Sequence, residues 1–182
     1  MRDAQPSTGM RDAPTLTARS ARLSLRMSPP WPFIDDVRRF VENFGACASG
    51  GPERDAQVAM AVHELMQNAL AHAAGADVEL EVEIDPDRDR IEIRVTNPCS
   101  DEAYALLGAR VERMNREPDA LAWYLRCMGE ESGRARGGLG LARLRFEGQL
   151  EISLSRRDAG RVAVCAAGKV RTPPLEVGGN HA

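Results

Sequence analysis

Between positions 78 and 95 the chain alternates with period two: Val78, Leu80, Val82 and Ile84 are separated by glutamates, and Ile91, Ile93 and Val95 resume the pattern after "DPDRD". Such a hairpin puts its apolar set on one face and its charges on the other. It cannot bury the apolar face alone, so something else in the chain must cover it while the charged face stays wet.

The covering elements are legible on either side. Upstream, "ARLSLRM" (21–27) alternates as a short strand, and "FIDDVRRFVENFGA" carries Phe33, Ile34, Val37, Phe40, Val41 and Phe44 at helical spacing. Gly50, Gly51 and Pro52 break the chain. Pro52 with Glu53 and Asp55 then suits the first turn of a second helix, which reaches about Gly75. On its wheel Val58, Val62, Leu65, Ala69 and Ala73 share one apolar face. Downstream, Asn97 and Pro98 end the hairpin, and Ser100 with Asp101 and Glu102 opens a helix to about Asn115. Pro118 starts another to about Met128, "SGRARGGLGLARL" leads into a further short helix, and "QLEISLS" and "RVAVCAAGKV" close the chain as strands joined at Asp158–Gly160.

This order implies a two-layer α/β (α+β) sandwich, with a mixed, largely antiparallel sheet covered on one face by helices. The domain is expected over 20–170. Residues 1–19 read as a disordered leader and 171–182, "RTPPLEVGGNHA", as a flexible tail. At 182 residues, 43% apolar and 28% charged, the chain suits one soluble domain with a proper core. A net charge of -3 supplies no global field for nucleic acid, and no apolar run approaches the roughly 20 residues that span a bilayer. Cys47, Cys99, Cys127 and Cys165 are far apart, without a C-x-x-C pair or zinc-finger histidines, and read as small core residues in a reduced, cytoplasmic setting.

Chemistry concentrates in "HELMQNALAHA" (63–73), where a helix rich in core residues carries Glu64 and Asn68 one turn apart beside its apolar face. A zinc-protease reading of His63-Glu64 fails because position 67 is Gln where the second histidine is needed. Taken alone, E-x-x-x-N is common on solvated helix edges, and "GGLGL" is as often a plain loop-to-helix joint. Their conjunction, in this order and around a hairpin, is what carries meaning.

With Glu64-Leu65, Asn68-Ala69 and His72-Ala73 matching E-L-x-x-N-A-x-x-H-A, the chain resembles the GHKL, or histidine-kinase-like, ATPases, most closely the small anti-sigma-factor serine kinases, over about 21–170. The resemblance implies a Bergerat-type ATPase fold and ATP with Mg²⁺ as ligands. It implies Glu64 as the base, Asn68 as a metal ligand through its amide oxygen, Asn97 as the adenine contact, and Gly137, Gly138, Leu139 and Gly140 as the phosphate cradle. It further implies a protein partner that is phosphorylated or sequestered, with a homodimer left open. Two departures accompany it. "TNPCSDE" stands where the family has D-x-G-x-G, so Asn97 replaces the aspartate and offers adenine a neutral acceptor, and Ala71 stands where many relatives carry lysine. A branch of bacterial regulators looks similar in having "TN" there. The alternative is a non-catalytic interaction module whose nucleotide pocket has closed; a sensor-kinase fragment is a weaker third reading, since no phosphoacceptor helix precedes the domain.

The remaining conspicuous residues have plainer readings. His72 reads as a packed or capping histidine at the helix end. Arg134, Arg136, Arg143 and Arg145 would steer phosphates or an acidic partner, or form a solvated face; Trp31 and Trp123-Tyr124 would be core anchors or, if exposed, a protein-binding patch.

Overall fold

In a computed structural model that describes residues 20–28, 33–46, 51–73, 75–131, 138–158 and 160–171, the alternating segments form β2 (Val78–Asp85) and β3 (Arg90–Pro98), paired antiparallel. The leader 1–19, residues 172–182, Trp31, Cys47, Arg134, Arg136 and Gly137 lie outside the described residues. β1 (Ala21–Met27) pairs with the outer edge of β2, and a second hairpin of β4 (Glu151–Asp158) and β5 (Arg161–Gly168) completes a sheet of order β1-β2-β3-β5-β4. All four pairings are antiparallel, so the expected largely antiparallel sheet loses its mixed component. The closing hairpin turns at Gly160, whose φ of +93° is one that L side chains rarely adopt, and folds β5 back into the place beside β3.

The register builds continuous apolar rows across the sheet. Leu23, Val82, Ile93, Ala166 and Ile152 align on one, and Leu25, Leu80, Val95, Val164 and Leu154 on the next. The row beyond joins Met27 to Val78 and Asn97 to Val162 and Arg156, so polar side chains enter the helix-covered face at this end of the sheet. The opposite face is a charge lattice: Arg94 bonds Glu81 at 3.1 Å and also Glu92, while Arg161 bonds Glu79 at 3.2 Å.

Helices cover the apolar rows. α2 (Pro52–His72) starts after Gly51, at φ +122°, with proline in its first turn, and buries Val58, Val62, Leu65, Met66 and Ala69 against β2 and β3. Arg54 anchors that first turn. Although buried, its guanidinium donates to Lys169 O at 2.8 Å and Gly148 O at 2.7 Å, which ties α2 to both ends of the β4–β5 hairpin. α1 (Ile34–Gly45) packs on α2 through Val37 and Val41, whereas Phe33 and Phe40 are 60% and 55% exposed. The apolar stripe of α1 is therefore wider than the surface α2 offers it.

α3 (Asp101–Arg116) is capped as expected, Ser100 Oγ accepting the Ala103 N–H at 3.2 Å. α4 (Ala120–Glu131) begins two residues later than Pro118 because Asp119 supplies the cap, its carboxylate accepting the Ala122 N–H at 3.1 Å. Trp123 is a core anchor flanked by the guanidinium groups of Arg113 and Arg126, and Tyr124 stacks on Phe146 of α5 (Leu139–Phe146). Cys127 is buried and Cys99 and Cys165 partly so, and none of the three is in a disulfide among the described residues. His72 stands at the end of α2, as expected, but it is exposed on the last turn, so the packed alternative does not hold.

Candidate functional site

The polar edge of α2 meets the start of α5. Glu64 and Asn68 project from α2 one turn apart, and α5 approaches them closely because position 140 is glycine. A Cβ there would lie 2.7 Å from Glu64 Oε2 and 3.5 Å from Asn68 Nδ2. No other residue type fits without displacing the carboxylate. Gly138, at φ +124°, turns the chain into α5, and its carbonyl accepts the Ala142 N–H at 3.0 Å to open the helix. Leu139 between the two glycines packs against the core and pins this turn.

Glu64 has two distinct oxygens. Oε2 faces Gly140, while Oε1 accepts from Arg143 Nη1 at 3.2 Å, and Arg143 Nε donates in turn to Glu147 at 2.8 Å. The bond to Glu147, helped by the Glu64 charge, holds the Arg143 guanidinium above its ordinary pKa, with burial opposing. Tyr124 beside this cluster is also pushed up, by burial first and then by its bond to Glu147. On the α1 side of Glu64 an open groove of about 460 Å³ runs along α2, lined by Glu53, Gln57, Met60 and His63, with Arg38 and Arg143 on its flanks.

Asn97 enters from a different direction. It lies at the end of β3, on the face that α2 covers, and is only 4% exposed. Its Nδ2 donates to Pro98 O at 2.8 Å, so its carbonyl oxygen is the atom left to accept from a ligand. The structure thus joins Glu64, Asn68 and Gly140 in direct contact; Asn97 lies under the same helix but bonds locally. Gly137 lies outside the described residues.

Two participants escaped the motif reading. Arg143 stood out only as one arginine among several flanking the glycines, and its engagement with Glu64 comes from packing. Arg110 of α3 carried no signal at all, yet its Nη1 lies 3.3 Å from where a Cβ of Gly138 would stand. Only a partner across the fold could have marked either residue.

An antiparallel sheet roofed on one face by helices, with an acid and an amide set against a glycine-started helix, defines an α+β domain of the ATPase type. Residues 34–145, more than half of the 182, match the histidine kinase-like ATPase domain, and the chain belongs to that family. In three dimensions it is similar to a chain of the crystal structure of the SiaB-SiaC complex from Pseudomonas aeruginosa, with a TM-score of 0.68 and 14% identity over 83% of this chain and 90% of that one. At that identity the likeness shows the fold. No curated protein sequence matches the chain.

Proposed function

We propose that the protein binds Mg-ATP in the cleft between α2 and α5 and acts on a partner protein, phosphorylating or sequestering it, as a cytoplasmic regulator of the anti-sigma-factor kinase type. The observation that carries this reading is the contact of Gly140 with both Glu64 and Asn68, which sets an acid and an amide one turn apart at the mouth of a glycine-started helix. The residues fit the nucleotide. Asn68 offers an amide oxygen to Mg²⁺, a hard cation that keeps several waters and takes phosphate oxygens as well. Asn97 offers a carbonyl acceptor to an adenine amino group, and Gly138 and Gly140 lie at the start of α5, whose leading N–H groups have no partner within the helix and suit phosphate oxygens.

When bound, ATP supplies the transferable phosphoryl group; the chain supplies position and charge. Glu64 is the group placed to take the proton of an acceptor hydroxyl, and the groove beside it gives a partner segment access to that carboxylate. The pairing of two proteins in the structurally similar SiaB-SiaC complex supports a protein partner here. A second reading, a non-catalytic interaction module on the same fold, is favoured by the engagement of Glu64 with Arg143 and by the lack of a carboxylate at position 97.

The two readings separate in one experiment, the melting temperature with and without saturating Mg-ATP and Mg-ADP, with Asn68→Ala as control. The expected result is a Mg-dependent rise that Asn68→Ala loses while its ligand-free melting temperature is unchanged. Equal nucleotide affinity in that variant removes Asn68 from its role, and no rise in the wild type leaves the interaction module.

A further inference from the structure

The arginines of this domain are mostly matched: Arg116 pairs with Glu112, Arg126 with Glu117, and Arg143 with Glu64 and Glu147. Arg110 is different. It is partly buried in the second half of α3, and no carboxylate lies within ion-pair distance of it among the described residues. Its guanidinium lies along Gly138, with Nη1, Cδ and Cζ at 3.3, 3.4 and 3.5 Å from the position a Cβ would take. Arginine keeps its charge at any ordinary pH, so a partly buried, unmatched guanidinium forgoes the anion that best compensates its lost hydration.

Its position indicates which anion. Gly138 and Gly140 are two positions apart in one turn, so Arg110 and the Glu64–Asn68 pair are held at neighbouring points of the same backbone segment. A phosphate chain laid beside Glu64 would meet a negative charge there, and Arg143 is already shared by two carboxylates. A free planar guanidinium with several donors is suited to that chain in a way no other described side chain at this turn is.

We propose that Arg110 is a phosphate-binding residue of the nucleotide site, supplying from α3 a cation beside the turn that opens α5. The inference rests on the nucleotide reading above. It gives the helical connection between β3 and α5 a direct part in the site, because nucleotide would then bridge α3 to α5.

Calorimetric titration of the full chain with Mg-ATP, Mg-ADP and adenosine tests it, using wild type, Arg110→Ala and Arg110→Lys. Arg110→Ala is expected to weaken Mg-ATP and Mg-ADP by about ten-fold or more, with adenosine affinity and ligand-free melting temperature unchanged, and Arg110→Lys to retain part of the loss. Wild-type affinity for Mg-ATP in Arg110→Ala overturns the inference and leaves the nucleotide site standing. An equal loss for adenosine also overturns it, since the arginine would then support the fold and not the phosphates. Failure of the wild type to bind any of the three removes the nucleotide reading, and this inference with it.

Discussion

Gly140 concentrates the logic of the site in one position. The atom a Cβ would strike is the end of a flexible glutamate side chain, so Gly140→Ala can be accommodated by moving Glu64, and alanine is the better helix former by about 0.5–1 kcal/mol. The variant is expected to fold with a melting temperature equal to or slightly above wild type, and to bind Mg-ATP more weakly because Glu64 is pushed off its place beside Asn68. Calorimetric titration and a thermal melt on the same sample check both halves, and unchanged affinity would mean that the close approach at Gly140 serves packing alone. Arg143 belongs to the same scale. Its bond to Glu64 spans 79 positions of sequence, which is why a motif search sees two unrelated residues where the folded chain has a pair.

Elements are held to one another by a few buried polar contacts. Arg54 joins the first turn of α2 to the backbone at both ends of the β4–β5 hairpin, and Arg54→Ala would leave two carbonyl oxygens without their donors in a buried setting. A loss of about 3 kcal/mol is expected in urea unfolding. The β2–β3 turn is held by Asp85, whose oxygens accept the Arg88 N–H at 3.1 Å and its guanidinium at 2.9 Å. Burial pushes the Asp85 carboxyl up, but these bonds together with the Asp87 N–H bring it below the usual carboxylate range. A carboxyl depressed in the folded state contributes stability above its unfolded pKa and loses it as pH falls through the folded value. Asp85→Asn should therefore be less stable than wild type at pH 7, with the gap closing near pH 3, as urea melts at the two pH values will show.

For the whole molecule, a nucleotide that binds only the folded state stabilises it by mass action, about 2.7 kcal/mol at one hundred times the dissociation constant. In a domain of this length that corresponds to a rise of roughly 5–10 °C, large enough for a scanning fluorimeter to separate a binder from a closed module. The same scale explains the exposed phenylalanines of α1. Helical spacing identifies an apolar stripe, but how much of it is covered depends on the width of the neighbouring helix, and α2 covers Val37 and Val41 while leaving Phe33 and Phe40 in solvent.

Local pattern was enough to place the β2–β3 hairpin, the buried face of α2, the Ser100 cap and the Gly160 turn, because periodicity and capping act over a few residues. It was also enough to nominate Glu64 and Asn68 as one edge and Gly138 and Gly140 as a helix start. Tertiary structure alone decided that this edge and that start touch, that β5 enters beside β3 and makes the sheet antiparallel throughout, that Arg143 holds Glu64, and that Arg110 reaches Gly138. Those outcomes depend on how helices and sheet dock across long separations in sequence, where side-chain volume and charge at the contact decide the geometry and no short-range repeat records it.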